Sequence, residues 1–437
     1  MISKAEDRRT RRRVVAAGIA GNVMEWYDFA VYGFFARTIG SLYFPTEDPR
    51  TSLLAAFGVF AIGFLMRPLG AILFGHIGDR VGRGPALLWS VIAMAVPTFG
   101  IGVLPTYDQI GVAASVLMLF CRILQGLAVG GEYTGSAVFL AETADPAKRG
   151  AASAWAPFGA VAGILLGSAV GAAIMNAMPL EQVVAWGWRV PFLLGVVVGA
   201  VGFLLRRRMP FDRPAAKSGF PLVRALRDHP VQMLQVISIS LVNAVGFYLI
   251  FVYIITWLKL FVDLRAGIAL QINSLNMAVL LCVILIVARI SDRVGRKPIL
   301  VGAAIGLLLL SWPLMALMQT GKIPLVILGQ FGFALLLGAY GAVNPIAICE
   351  IFPKSVRCSA VSTAYNLTVG LAGGTAPAVA TWLIGLTGNP KVPAMYIMAG
   401  AAISAVAALS VHERTRQAIA DSIMPPVAAS ASPAPGG

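Results

Sequence analysis

The pattern Gly75-His-Ile-Gly78-Asp79-Arg80-Val-Gly82-Arg83 returns half a chain later as Ala288-Arg-Ile-Ser291-Asp292-Arg293-Val-Gly295-Arg296-Lys297. A second pair keeps nearly the same offset and the same internal spacing: Glu142 leading to Arg149, and Glu350 leading to Arg357. Every copy sits between long apolar stretches. A charged turn repeated on a repeated hydrophobic scaffold calls for two homologous halves that face each other. When the scaffold lies in a bilayer, such halves most often rock around a central site.

The scaffold does belong in a bilayer. With 58% hydrophobic and only 12% charged residues, the chain falls outside the range of soluble domains. Apolar stretches long enough to cross a membrane, roughly 20 residues, recur at 14–42, 52–75, 85–104, 110–138, 151–176, 187–205, 232–257, 267–289, 298–318, 324–348, 358–386 and 393–411. The expected fold is an all-α membrane protein, with twelve transmembrane helices in two pseudo-symmetric six-helix bundles. Its parts are a basic N-terminus (1–13), an N-terminal bundle (14–205), a linker (206–231), a C-terminal bundle (232–411) and a tail (412–437). The linker carries Arg206, Arg207, Arg208, Pro210, Pro214 and Pro221, which suits the headgroup surface. The tail, rich in Pro, Ala and Ser, is expected to be disordered.

A formal charge of +15 invites a nucleic-acid reading, and the placement of the bases answers it. Lys4, Arg8, Arg9, Arg11, Arg12 and Arg13, the duplicated turns, the linker and Lys354 share one side. The other side has Arg50, Arg189, Lys259, Arg265, Lys322 and Lys391. This is the positive-inside asymmetry; it predicts a bacterial inner-membrane protein with both termini cytoplasmic and no nucleic-acid partner. Four cysteines form no CxxC pair and three scattered histidines build no metal site, so neither metal nor cofactor is expected. The basic start and apolar run imitate a signal peptide, but Glu25 and Asp28 interrupt that run, and it is expected to remain as the first helix.

A charge near the bilayer centre costs about 2.5–3.5 kcal/mol on insertion scales, so each one calls for a reason. Glu25, Asp28, Arg67, Arg122 and Glu132 lie inside spans of the first half; the second half offers neutral Asn243, Tyr248, Tyr253, Asn344, Tyr365 and Asn366 at similar depth. Glu25 and Asp28 share a helix face and are the candidate proton carriers, Asp28 ahead; the alternative is a static pair with Arg67 or Arg122. Arg122 is either an anion anchor or half of a coupling pair, because guanidinium stays charged and forks onto carboxylates. Arg67 has the same two readings. Gly159, Gly163, Gly167 and Gly171 mark a helix that packs closely on another. Gly75, Asp79, Arg80, Gly82, Arg83, Glu132, Glu142, Arg149, Asp292, Arg293, Arg296, Glu350 and Arg357 are the candidate cytoplasmic gate, with Asp79 and Asp292 able to meet helix N-termini or arginines of the other half. Constitutive stapling is the alternative.

These residues resemble the major facilitator superfamily over 14–411. The Gly-x-x-x-Asp-Arg-x-Gly-Arg turn and Arg122-x-x-Gln125-Gly126 are similar to superfamily signatures. Gly21-Asn22-Val-Met-Glu25-Trp26-Tyr27-Asp28-Phe29-Ala-Val-Tyr32-Gly33, Gly130-Gly131-Glu132-Tyr133, Trp186-Gly187-Trp188-Arg189-Val-Pro191-Phe192 and Glu350-Ile-Phe352-Pro353 resemble the metabolite:proton symporter family. Ala288 and Gly84 depart from the usual turn, and Ala156-Pro157-Phe-Gly159 only partly matches an exchanger signature. The resemblance implies a monomeric carrier, not an enzyme, that imports a small organic acid together with protons.

Two substrate classes follow from it. A di- or tricarboxylate such as citrate or 2-oxoglutarate is the leading expectation, since Arg122 stands where osmoprotectant carriers often have Lys and the chain lacks a long coiled-coil tail. Arg122 and Arg67 would hold carboxylate, and Asn22, Tyr32, Asn243, Tyr248, Asn344 and Asn366 would shape the site. The alternative is a proline or betaine symporter, with Trp26, Tyr253 and Trp257 around the ammonium group. An enzyme would need a convergent catalytic set and a sensor a signalling domain; the sequence shows neither.

Overall fold

The computed structural model describes residues 4–206 and 221–411. Residues 1–3, the tail 412–437 and most of the expected linker, 207–220, lie outside the described residues. The spanning elements are α1 (Lys4–Phe34), α2 (Pro49–Arg80), α3 (Arg83–Val103), α4 (Val112–Thr143), α5 (Pro146–Ala177) and the pair Leu180–Gly187 and Arg189–Leu204, together α6. The second set is α7 (Pro230–Phe261), α8 (Ala266–Val294), α9 (Lys297–Gln319), α10 (Ile323–Ile351), α11 (Arg357–Thr387) and α12 (Val392–Leu409). Among the described residues ten helices are long and apolar enough to span a membrane, eleven if α6, bent by 48°, counts as one span. α1 falls short of that measure, because its basic start and its acids dilute its hydropathy. The expected first span, 14–42, is interrupted at Phe35, and a separate short helix, Ala36–Tyr43, follows it.

Helices α1–α6 pack on one another, and so do α7–α12; the halves meet chiefly through α2 with α11 and α5 with α8. The glycine stripe of α5 explains how α1 is held. A Cβ at Gly163 would stand 2.5 Å from the Val23 carbonyl oxygen, and one at Gly167 2.8 Å from that of Tyr27. The backbones therefore touch, and α1 cannot be pushed outward without breaking van der Waals contact along its length. Two spans of the second half widen near their middles. In α11 the Gly374 N–H donates to Val369 O at 2.8 Å, one residue further than an α-helix allows, and α7 has a similar turn over Tyr248–Tyr253. Such widened turns recur at functional sites, and both border the central space.

Candidate transport site and its closure

The paired α2 and α4 place the arginines. A Cβ at Gly126 would meet the Gly63 carbonyl oxygen at 2.2 Å, and one at Gly130 the Arg67 carbonyl oxygen at 2.2 Å. That closeness leaves each arginine no route outward, so both turn into the bundle towards α1. Arg122 donates from Nη1 to Asp28 Oδ2 at 2.9 Å and lies 3.6 Å over the Tyr32 ring. Asp28 also accepts from Gln125 Nε2 at 2.9 Å and Thr98 Oγ1 at 3.0 Å, all out of water. Arg67 is held differently. It sits 4.2 Å over Phe64 and 4.9 Å over Phe29, with Nη2 3.9 Å from Glu25 Oε1, and its Nε and Nη2 have no hydrogen-bond partner.

Between the halves lies a narrow cavity with about 60 Å³ of room for water-sized occupants. Trp26 and Tyr133 of the first half and Asn243, Phe247, Tyr248 and Tyr365 of the second face it, and among the described residues no Asp, Glu, Lys or Arg lines it. Neither Arg67 nor Arg122 is on its wall; both lie behind it in the first bundle. Trp26 Nε1 and Tyr248 Oη are buried donors without a partner. Tyr133 and Tyr365 stack across the halves with centroids 5.1 Å apart, and Trp26 meets Phe247 edge-on at 5.9 Å.

The other expected site residues divide. Asn243 and Tyr248 line the cavity. Asn22 donates to Ser136 Oγ at 2.7 Å and Tyr32 to Ala56 O at 3.0 Å, which ties both into the first bundle. Asn366 donates to Gly130 O at 2.8 Å and so bridges the halves. Asn344 is fully buried with both amide atoms unpartnered, yet off the cavity wall. Of the expected aromatic face only Trp26 is present: Tyr253 is engaged with Thr381, and Trp257 is buried with Nε1 on Pro390 O. Tyr133, Phe247 and Tyr365 take that place. Phe247 carried no sequence signal, because a phenylalanine in a span looks like lipid-facing or core residue alike.

The duplicated turns meet at one end. Asp79 accepts from the N–H groups of Cys358 at 3.2 Å and Ser359 at 2.8 Å, at the start of α11. Asp292 accepts from Gly150 at 2.8 Å and Ala151 at 2.9 Å, in the first turn of the helix that begins at Arg149. Each half thus caps a helix of the other, where an anion is favoured. Arg83 bridges Asp79 and Glu142 and donates to Lys354 O; Arg296 bridges Asp292 and Glu350. The second pairing is exchanged relative to sequence order: Glu142 joins Arg357 across the halves at 2.7 Å rather than its neighbour Arg149, whose Nε has no partner. Gly75 lets α2 approach the Ser359 backbone, where a Cβ would stand 2.8 Å from its Cα. Gly82 and Gly295 hold φ of 130° and 103°, conformations that favour glycine. Arg80 and Arg293 are exposed beside the turns. Glu132 accepts from Ser90 Oγ inside the first bundle.

Residues 27–347 and 272–433 match the Major Facilitator Superfamily. The chain is 35% identical over 425 residues to the glycine betaine/proline/ectoine/pipecolic acid transporter OusA of Dickeya dadantii, covering 93% of this chain and 84% of that one. It is 32% identical over 425 residues to the proline/betaine transporter of Escherichia coli K12, with the same coverage. It is 34% identical over 426 residues to a putative proline/betaine transporter of Staphylococcus haemolyticus, covering 95% and 90%. Among solved structures, the proton:xylose symporter XylE bound to 6-bromo-6-deoxy-D-glucose superposes with a TM-score of 0.76 at 17% identity, over 93% of this chain and 97% of that one. FucP in its outward conformation gives 0.68 at 12% identity, over 92% and 98%. Both are too distant in sequence to speak for more than the fold. A multi-pass membrane transporter built on this scaffold, not an enzyme, is what the chain encodes: it belongs to the major facilitator superfamily, in the metabolite:proton symporter family that its first helix resembles.

Proposed function

We propose that the protein is a proton-coupled symporter that imports a small zwitterion of the betaine or proline kind, with the turn-bearing end in the cytoplasm. The observation that carries this reading is the cavity wall. Aromatic faces from both halves suit an ammonium group, worth about 0.5–2 kcal/mol per cation–π contact. The unpartnered N–H of Trp26 and O–H of Tyr248 suit a carboxylate at the other end of the same molecule. The relatives named for proline and betaine support the same class.

The organic-anion reading fits less well. A di- or tricarboxylate would need surplus positive charge, whereas Arg122 is committed to Asp28 and Arg67 already faces Glu25. The protein acts as a monomer in this reading, and the closure at the turn-bearing end makes the structure a state shut towards the cytoplasm. Uptake by proteoliposomes tests it: labelled betaine and proline should accumulate under an inward proton gradient, and citrate or 2-oxoglutarate should not. Gradient-driven accumulation of the carboxylates alone would reject the zwitterion.

A further inference from the structure

Two neighbouring pairs of residues draw the wall between the central cavity and a smaller one. On α1, Trp26 faces the central cavity while Glu25 lines the smaller; on α4, Tyr133 faces the central cavity while Glu132 lines the smaller. The smaller cavity has about 10 Å³ of room for water-sized occupants, about enough for one water, and is also bordered by Ser90, whose hydroxyl donates to Glu132 Oε2. Ser90 lies on α3 seven residues from Arg83, roughly 10 Å along the axis, so this cavity lies between Glu25 and the turn-bearing end.

The two acids of α1 are in opposite states. Asp28 has three donors, one of them the ion-paired Arg122. Glu25 is 1% exposed and neither of its oxygens has a hydrogen-bond partner; its nearest cation is 3.9 Å away. The ionisable groups that face it are Arg67 of α2, Glu132 and Tyr133 of α4, and Tyr248 of α7; the face of α5 against α1 is glycine. An anion without donors is costly inside a bilayer, and one proton removes that cost, whereas a proton on Asp28 would displace donors already in place.

We propose that Glu25 takes the transported proton and that Glu132, held by Ser90, passes it towards the turn-bearing end, while Asp28 stays paired with Arg122 throughout the cycle. The step is a proton transfer: the O–H bond of Glu25 breaks, an O–H bond of Glu132 forms through a bridging water, and the proton leaves to solvent when that end opens. The transfer restores the Glu25 anion beside Arg67, and release to solvent restores that of Glu132.

This rests on the symport reading, and betaine uptake by proteoliposomes separates the two. A wild-type protein that ignores the proton gradient sinks the symport reading itself. If the wild type is coupled, one pH unit should sustain about ten-fold accumulation for one proton per betaine. Glu25→Gln should then accumulate none while still exchanging internal for external betaine at a rate independent of pH. Glu132→Gln should slow coupled uptake but spare exchange. Accumulation by Glu25→Gln overturns the proposal, and so does loss of exchange in a protein that still binds betaine. Should Glu25→Gln fail to fold, Glu132→Gln decides alone: coupled uptake at the wild-type rate overturns the relay.

Discussion

Changing Asp79 to Asn leaves the side-chain volume almost unchanged and removes one negative charge from the point where the two halves meet. The Asp79 carboxylate accepts from two backbone N–H groups of α11 and from Arg83. Hydrogen bonds to a charged group are worth about 1.5–3 kcal/mol and neutral ones about 0.5–1.5. An Asn oxygen can keep one of the two backbone bonds, while its NH2 turns against the other donor. Arg83 keeps Glu142 as partner, which limits the damage on its side. The net loss is about 2 kcal/mol, which shifts the ratio of closed to open turn-bearing end by about 30-fold.

Cys358 offers the readout. The residue is 3% exposed and its thiol is wedged behind Gly78, where a Cβ would stand 2.7 Å from Sγ, so an alkylating reagent reaches it only when α2 and α11 part. With Cys121, Cys282 and Cys349 replaced by Ser, maleimide labelling from the turn-bearing side should accelerate about 10–30-fold in Asp79→Asn, because labelling tracks the open population when closing is fast. Asp292→Asn removes the matching cap on the other pair of helices. It should accelerate Cys358 labelling too if the two caps release as one. Labelling of Asp79→Asn within about two-fold of the parent would refute the idea that these caps hold the end shut.

Three further outcomes follow from the same geometry. Asp28→Asn should lower the thermal stability of the purified protein by about 3–5 kcal/mol, because Arg122 is left buried and unpaired, and adding Arg122→Gln should recover part of the loss in a melting curve. Trp26→Phe keeps the ring but loses the indole N–H, so betaine affinity should fall by about 1–1.5 kcal/mol, roughly ten-fold in Kd by equilibrium binding; an unchanged Kd removes Trp26 from the carboxylate end of the site. Gly130→Ala places a methyl against the Arg67 carbonyl, so α2 and α4 must separate, at about 1–3 kcal/mol or more, visible as lost yield and a lower melting temperature.

The sequence was most readable where one residue type has only one physical excuse. Charged residues deep in apolar spans named Glu25, Asp28, Arg67 and Arg122, and the repeat named both Asp79 and Asp292. What stayed hidden was partner choice. Glu142 and Arg149 share a segment, yet Glu142 bonds Arg357 of the other half, and only the facing of α4 on α11 decides that. Likewise Glu132 read as part of the gate from its place near the end of α4, but its side chain turns inward to Ser90. The aromatic wall was legible in kind and wrong in membership: Tyr253 and Trp257 were equally plausible by depth, and the widened turn at Tyr248–Tyr253 sets which rings face the cavity. Helical periodicity cannot foresee a rotation introduced by one extra residue in a turn.

The two arginines look alike in sequence, and their surroundings give them different uses. Arg122 is fixed by Asp28, which is itself fixed by Thr98 and Gln125; taking it for a substrate would strand a buried carboxylate. Arg67 rests on aromatic rings with unspent N–H groups and a loosely placed Glu25. A proton on Glu25 dissolves that pair and leaves Arg67 with a charge to satisfy, directly behind the Trp26 side of the cavity. A zwitterion held at Trp26 and Tyr248 brings one carboxylate to balance that charge across the wall, and its ammonium end asks for no counter-charge where aromatic faces are in place. A tricarboxylate would arrive with three negative charges where one is wanted. On the proposed reading, the match between one released cation and one carboxylate gives proton and substrate a physical reason to enter together.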